Sequence, residues 1–256
     1  MKSRLHSTTR FSNRVKDYAN YRPHYPPEVL EFLSTGLRLT KDSVIADIGS
    51  GTGISSELFV ENGNQVYGIE PNKEMRKAAE RRFKFYKNFL SINATAEDTT
   101  LRDQSVDFII SGQAFHWFDL RNTKTEFKRI LRPNGSVVLI WNDRKTAASD
   151  FLRRYEALLD SYGTDYSEVK SIRVGRRGLD QFFGKTHHHR KVFKNFQVFD
   201  FDGLKGRLLS SSYVPDKGRP GYVPMIDDLK KLFASNETKG LVLFEYDTNL
   251  YYGRLR

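Results

Sequence analysis

Short apolar runs alternate with amphipathic segments over the first 141 residues of the chain. The runs 44–48, 65–69, 89–94, 106–111 and 136–141 are rich in branched aliphatic side chains, which predicts buried strands. The segments 28–36, 54–62 and 123–131 carry apolar residues at helical spacing. This alternation predicts an α/β fold with a Rossmann-like, mostly parallel sheet.

The alternation ends after Trp141. A helical stripe is predicted at 151–162, a strand at 192–201 and helices at 204–212 and 222–233. The segments 241–246 and 250–254, separated by Asp247-Thr248-Asn249, predict a closing hairpin. The boundaries expected from these changes are an N-terminal arm and first helix at 1–36, a core at 37–142, an insertion at 143–222, and a return helix with the hairpin at 223–256.

The turn after the first strand carries the strongest chemical signal. Asp47 precedes a glycine turn, Gly49-Ser50-Gly51-Thr52-Gly53, in which the backbone can approach a ligand closely. A dinucleotide fingerprint needs a third small residue at position 54, where Ile54 stands. A nicotinamide or flavin site, or a turn without a ligand, remains an alternative. The pattern D-x-G-x-G-x-G resembles motif I of the class I S-adenosylmethionine-dependent methyltransferases.

This resemblance implies a fold, a cofactor and a set of contacts. The fold is a seven-stranded Rossmann-like sheet with a reversed C-terminal strand and a cap formed by the insertion. The cofactor is S-adenosylmethionine, whose amino-acid end would lie against Asp47 and the glycine turn. Glu70 ends the second strand at the ~20-residue spacing typical of an acid that binds ribose hydroxyls. The other cofactor contacts implied are Pro71, Asn72, Met75, Ala96 and Glu97 near ribose and adenine, and Gln113 and Ala114 at the mouth between cofactor and substrate.

The N-terminal arm and the segment after the fourth strand extend the resemblance. The arm carries Y-x-x-Y-R-P-x-Y-P-P, which is similar to relatives of the trans-aconitate methyltransferases. There the arm covers the cofactor, so Tyr21 and Arg22 are candidates for its methionine moiety; surface packing is the alternative. Residues lining a substrate pocket would be Tyr18, His116, Trp117 and Tyr213. His116 is a candidate general base, although methyl transfer to an ionised carboxylate needs no base.

The composition of the chain argues against several kinds of site and against a membrane protein. The chain has no cysteine, which excludes disulfides, thiolate metal sites and a cysteine nucleophile. His187-His188-His189 lacks helical metal-ligand spacing, and no metal site is expected. No apolar run approaches ~18 residues, and the N-terminus has no signal-like segment, so a cytoplasmic protein without a membrane partner is expected, as a monomer or homodimer.

The net charge is +11, from 42 Lys and Arg against 31 Asp and Glu, and a basic run spans 170–194. This charge indicates an anionic partner or a solvated basic surface. The leading hypothesis is a methyltransferase acting on a small molecule, with a carboxylic acid as one option. The alternatives are a nucleic-acid methyltransferase, although the N-P-P-Y type of motif is missing after the fourth strand, and a non-enzymatic cofactor-binding regulator.

Overall fold

The computed structural model describes residues 14–171 and 176–255, in which seven strands form one sheet. The strand order is β3-β2-β1-β4-β5-β7-β6. The strands are β1 Val44–Ile48, β2 Gln65–Ile69, β3 Phe89–Ile92, β4 Val106–Gly112, β5 Leu131–Arg144, β6 His188–Phe199 and β7 Val242–Gly253. Strands β1 to β5 are parallel, whereas β7 is antiparallel to both β5 and β6. The predicted sheet with a reversed C-terminal strand is confirmed.

Helices cover both faces of the sheet and one end of it. They are α1 Val15–Tyr21, α2 Glu28–Leu37, α3 Ile54–Asn62, α4 Lys73–Arg82, α5 Leu120–Ile130, α6 Asp150–Tyr162, α7 Tyr166–Ser171, α8 Arg176–Phe183, α9 Phe201–Leu209 and α10 Tyr222–Ala234. The α4 helix begins where the Asn72 side chain accepts the backbone N–H groups of Glu74 and Met75. Asp119 caps α5 in the same way, so both crossover helices start at the carboxyl edge of the sheet.

The buried side chains form three clusters. Two of them lie around the parallel strands, one containing Ile45 and Phe59 and the other containing Ile48 and Phe127. The third joins α6, α9 and α10 to β7 and includes the fully buried Phe244. Helices α6 and α9 of the predicted cap are therefore anchored to the β6–β7 end of the sheet by apolar packing, whereas α8 belongs to the cluster of Ile48 and Phe127.

One continuous strand, β7, occupies the place where the sequence predicts a hairpin. The predicted turn residues Asp247-Thr248-Asn249 stay in register with β5 and β6. The Thr248 hydroxyl lies 2.5 Å from the side-chain oxygen of Asn142, and the Asn249 amide donates to Asp143 at 2.8 Å. Polar residues typical of a turn thus pair across the strands instead. The predicted cap interval also contains β6, the edge strand of the sheet.

Candidate functional site

Two adjoining cavities lie at the carboxyl ends of the parallel strands. The main cavity has a volume of about 310 Å³, and the side cavity about 110 Å³. Six residues line both: Tyr18, Gly49, Gly51, Gly112, Gln113 and Trp117. The side cavity is completed by Glu70, Pro71, Asn72, Met75, Ala114 and Phe118. The cavities occupy the crevice in which open α/β sheets bind their ligands.

The glycine turn presents bare backbone to these cavities. Gly51 has φ +56°, a left-handed conformation, and a Cβ placed there would meet nothing within 4 Å. The Cβ of a side chain at Gly49 would lie 2.5 Å from the Cβ of Ala114. Ser50 and Thr52 line the main cavity between the glycines. Gly53 lies outside both cavities, at the start of α3 against the ring of Phe83.

Glu70 connects the glycine turn to α4. One carboxylate oxygen accepts the N–H of Gly51 at 3.0 Å, and the other accepts the N–H of Asn72 at 2.8 Å. Burial raises the pKa of Glu70, and these two hydrogen bonds offset part of that increase. Each oxygen keeps a further lone pair, and the side chain lines the side cavity. Glu70 therefore shapes the turn and offers acceptors to a ligand.

Asp47 lies beneath the glycine turn, is fully buried and lines neither cavity. Its Oδ2 atom accepts the hydroxyls of Ser55 at 2.7 Å and Ser56 at 2.6 Å. Its Oδ1 atom has no hydrogen-bond partner among the described residues, and neither has Oγ1 of Thr52. Burial raises the pKa of Asp47 to about 6, although the two serine hydroxyls lower it. A buried carboxylate with an unpaired oxygen calls for a cationic or donor ligand.

These features fit the cofactor implied by the sequence resemblance. Arg22 lines the main cavity and suits the carboxylate of S-adenosylmethionine. Asp47 lies behind the cavity surface, and its negative charge there favours the ammonium group. The free lone pairs of Glu70 suit ribose hydroxyls. The apolar wall formed by Met75, Ala114 and Phe118 suits a flat aromatic base.

The N-terminal arm contributes Tyr18 and Arg22 to the cavity wall. Arg22 donates from Nη2 to the carbonyl oxygen of Ser210 at 2.9 Å, and its buried Nε atom has no partner among the residues that the structure describes. The Tyr18 ring lies 4.8 Å from that guanidinium. Tyr21, in contrast, lies in neither cavity. Its ring packs so closely on Gly206 of α9 that a Cβ there would overlap it.

Two other predicted cofactor residues also lie outside the cavities. Ala96 is buried in the core cluster beneath β2 and β4. The Glu97 carboxylate accepts the backbone N–H of Asp119 at 2.8 Å and so holds the start of α5. Ala96 and Glu97 therefore support the loop beside the site, whereas Gln113 and Ala114 contact the cavities directly.

The predicted substrate residues all line the main cavity. His116 and Trp117 lie in a 3-10 turn after β4, with their rings 4.7 Å apart. Tyr213 follows α9 and packs on Tyr166, with ring centroids 4.8 Å apart. The site thus combines the carboxyl edge of the core with residues of the predicted cap.

Two arginines in the wall were not predicted from the sequence. Arg144, the last residue of β5, donates to Glu156 at 2.5 Å and to the Tyr166 hydroxyl at 2.7 Å. Arg207 of α9 is 4% exposed and donates to the Tyr246 hydroxyl at 3.1 Å. The position of Arg144 at a strand end was a usable signal. The sequence signal for Arg207 is weaker: it is a charged residue beside the apolar stripe that Leu204 and Leu208 form in α9.

The wall carries positive charge that its own acids do not neutralise. Glu156 pairs with Arg144, and Asp143 accepts from Asn249. Neither Arg22 nor Arg207 forms an ion pair with a carboxylate of the described residues. Burial lowers the pKa of Arg22, and the neighbouring Arg207 lowers it further.

The positive charge of the wall also lowers the pKa of the Tyr213 hydroxyl. Burial alone would raise the pKa of its hydroxyl, but the charges of Arg144, Arg22 and Arg207 outweigh burial and lower this pKa to about 8. A phenol that ionises this easily lies in a strongly electropositive environment. The wall therefore suits an anionic ligand.

The remaining candidate features lie away from the cavities. No group of three His, Cys, Asp or Glu side chains within 14–171 and 176–255 could hold a metal ion. His188 lies 3.7 Å from Asp180 and stacks on Phe183, so it packs against α8. Part of the basic run, 172–175, falls outside the described residues. Across the part of the chain that the structure describes, no helix is both long and apolar enough to cross a membrane.

Comparisons with known proteins agree with this geometry. Residues 46–139 match the sequence profile of a family described as "Methyltransferase domain". An uncharacterized methyltransferase of Schizosaccharomyces pombe is 31% identical over 247 residues, covering 94% of this chain and 95% of that protein. An uncharacterized methyltransferase of Mycobacterium tuberculosis is 33% identical, covering 91% of this chain and 89% of the relative.

A solved structure has the same fold. It is a proposed type II methyltransferase from Anaeromyxobacter dehalogenans, with a TM-score of 0.63 and 21% identity. The match covers 91% of this chain and 98% of that protein.

Proposed function

This chain belongs to the class I S-adenosylmethionine-dependent methyltransferases, and from that premise we propose that it methylates a small-molecule carboxylic acid. The acid would bind in the part of the main cavity lined by Arg144, Arg207 and Tyr213, beside the cofactor. Its product would be a methyl ester.

The observation that carries the proposal is that neither Arg22 nor Arg207 pairs with a carboxylate of residues 14–171 and 176–255. A guanidinium withdrawn from water costs several kcal/mol unless an anion compensates it. A substrate carboxylate would provide that anion for Arg207, while Arg22 faces the carboxylate of the cofactor. Each hydrogen bond to a charged group contributes about 1.5–3 kcal/mol. The positive wall thus favours an acid over its neutral amide.

Methyl transfer to an acid depends on the relative orientation of the acid and the cofactor more than on acid–base catalysis. When bound, S-adenosylmethionine supplies an electrophilic methyl group, because its sulfonium sulfur leaves as a neutral thioether when a nucleophile attacks the methyl carbon. An acid is already ionised at neutral pH, so no residue needs to remove a proton, and His116 serves as part of the wall. The protein's contribution is then to align the two partners and to exclude water, for which Tyr18, Trp117 and Tyr213 are placed.

The dimensions of the cavity support a small acceptor. A volume of about 310 Å³ is at the lower end of the range for small-molecule sites. Its lining includes Tyr18 of the arm and Tyr166 of α7. A nucleic-acid strand would need an open groove along the surface.

A screen of acceptors tests the proposal. The purified protein is incubated with labelled S-adenosylmethionine and a panel of mono-, di- and tricarboxylic acids, their amides, and total RNA. The expected product is labelled acid that releases methanol at alkaline pH, as a methyl ester does. Label in the amides or in RNA, or label stable to alkali, would contradict the proposal.

A pair of variants checks that the arginines bind the acid. Arg207→Gln should raise the KM for the acid by at least about tenfold, since one charge-assisted contact is lost. Arg190→Gln is the matched control, because Arg190 contacts Asn249 outside the cavity. An equal effect in both variants would show that the arginine in the cavity has no special role.

A further inference from the structure

The C-terminal end of α9 is held by an arginine that touches neither cavity. Arg14 precedes α1 in the N-terminal arm, and only 6% of it is exposed. We infer that Arg14 is a positioning residue for the acceptor side of the site, which it acts on through residues 209–216, the acceptor wall. The inference rests on the proposed function in one respect only, namely that this side of the main cavity receives the acceptor.

The contacts of Arg14 converge on the acceptor wall. Nη1 donates to the carbonyl oxygens of Leu209 at 2.9 Å and Ser211 at 2.5 Å. Nη2 donates to the carbonyl oxygen of Val214 at 2.6 Å and lies 2.7 Å from a carboxylate oxygen of Asp216. One guanidinium thus joins four positions of a single eight-residue segment.

The physical need for this arrangement comes from the end of α9. The last carbonyl groups of a helix have no partner within the helix and carry partial negative charge. Arg14 takes the carbonyls of Leu209 and Ser211, and Arg22 takes that of Ser210 between them. Both arginines come from the same arm. A lysine has one small ammonium and cannot span carbonyls so far apart, whereas the flat guanidinium can.

The acceptor wall carries side chains of the cavity between its anchored points. Ser212 and Tyr213 both line the main cavity, and they lie between Ser211 and Val214, whose carbonyls Arg14 holds. The Tyr213 carbonyl also accepts the backbone N–H of Thr164 at 2.9 Å. Fixing the backbone on both sides of Tyr213 fixes where its hydroxyl points. Arg14 would therefore keep the Tyr213 hydroxyl among the cavity arginines.

The test uses Tyr213 as its own reporter and needs no acceptor. In the wild-type protein, the near-ultraviolet absorbance of phenolate should show a transition near pH 8 that disappears in Tyr213→Phe. Arg14→Gln should move that transition toward the value of about 10 for free tyrosine, because the hydroxyl leaves the arginines. Hydrogen exchange of residues 209–216 should become faster in the same variant.

Arg82→Gln is the matched control. Arg82 donates to the carbonyl of Ala19 on the same arm at 3.4 Å, but it comes from α4 and does not contact the acceptor wall. It should leave both the Tyr213 transition and the exchange of 209–216 unchanged.

Several results would overturn the inference. These are a Tyr213 transition in Arg14→Gln identical to that of the wild type, equal loosening in Arg82→Gln, and a wild-type protein without a Tyr213-dependent transition near pH 8. If Arg14→Gln does not fold, Asp216→Asn decides, because Asp216 is half-exposed and its loss removes only one anchor. Faster exchange of 209–216 in Asp216→Asn supports the inference, and unchanged exchange contradicts it.

Failure of the inference and failure of the proposed function are distinguishable. None of these measurements uses a methyl acceptor, so they are independent of the acid screen. An empty acid screen together with a shifted Tyr213 transition would contradict the acid proposal alone.

Discussion

Glu70 accepts the backbone N–H of Gly51 at 3.0 Å, which ties the end of β2 to the glycine turn after β1. Its second oxygen accepts the N–H of Asn72, the residue that caps α4. One carboxylate therefore fixes the turn and the helix start that frame the side cavity. The spacing of Glu70 in the sequence indicated a ribose ligand, but not this second role in building the turn.

Replacing Glu70 should weaken cofactor binding for two reasons: the glycine turn loses a hydrogen bond, and the ribose loses its acceptor. We expect Glu70→Ala to reduce the affinity for S-adenosylhomocysteine by on the order of 1–3 kcal/mol, since charge-assisted hydrogen bonds to ribose are lost. Calorimetry measures this change, and NAD should not bind. Glu74→Ala is the control, because Glu74 lies in the first turn of α4 and its carboxylate pairs with exposed Lys77. Unchanged affinity in Glu70→Ala would contradict the cofactor contact.

The affinity for the cofactor should depend on pH through Asp47. Burial raises the pKa of this carboxyl to about 6 in the protein without ligand. An ammonium beside the carboxylate favours the ionised form, so binding lowers that pKa and releases a proton. Affinity should therefore be highest above pH 6 and fall as the pH drops below it, by up to about tenfold per pH unit.

Calorimetry with S-adenosylhomocysteine between pH 5 and 7 measures this dependence. Ser55, Ser56, Tyr25 and Glu70 are the polar and titratable groups that face Asp47. Asp47→Asn should bind more weakly and with a flat pH profile. A profile that persists in Asp47→Asn would place the titration on Glu70 instead.

The sequence predicted the fold better than it predicted the acceptor side of the site. Apolar runs and glycine spacing are local signals, and they located β1, β2 and the motif around Gly49 correctly. Arg207 instead reaches the cavity because α9 packs on β7, so its role depends on contacts distant in sequence. Tyr21 shows the opposite case, since its motif suggested a ligand whereas tertiary packing places its ring on Gly206.

The hairpin prediction failed to match the structure for a related reason. Asp247, Thr248 and Asn249 have the composition of a turn, and propensity alone favours one. The side chains of Asn142 and Asp143 on β5 provide the hydrogen-bond partners that keep these residues in β7. Such pairing across strands cannot be read from a single segment.

Binding of an acid should weaken as the pH rises through about 8. Burial raises the pKa of Tyr213, but the nearby arginines outweigh it, so the hydroxyl is protonated at neutral pH and ionises near pH 8. Its negative charge would then compete with the substrate carboxylate. The charged and titratable groups that face Tyr213 are Arg22, Arg144, Arg207, Tyr155 and Tyr166, and the Ser211 side chain forms a hydrogen bond with it.

The measurement is the KM for the acid from pH 7 to 9, in the wild type and in Tyr213→Phe. The wild-type KM should rise above pH 8, and the variant should show a flat profile because it has no hydroxyl to ionise. The same rise in both proteins would exclude Tyr213 as its cause.

The Arg144–Glu156 pair should matter for stability as well as for binding. Their side chains are 10% and 13% exposed, and they meet at 2.5 Å. Arg144→Gln removes the guanidinium from the buried Glu156 carboxylate, which keeps its hydrogen bond from the Tyr166 hydroxyl at 2.6 Å. Losing one member of such a pair typically costs about 3–5 kcal/mol of unfolding free energy. Arg153→Gln is the control, since Arg153 and its partner Asp150 on α6 are 57% and 62% exposed, and such a pair contributes about 0–1 kcal/mol.

A double-mutant cycle followed by urea unfolding decides whether the pair acts as a unit. Glu156→Gln alone should also destabilise the protein, because it leaves the Arg144 guanidinium without its anion. In the double variant neither charge is buried unpaired, so its loss of stability should be smaller than the two single losses combined, by at least about 1 kcal/mol. Strictly additive losses would show that Arg144 and Glu156 are not coupled. The positive charge of Arg144 would then be free to act on a bound acid together with that of Arg207.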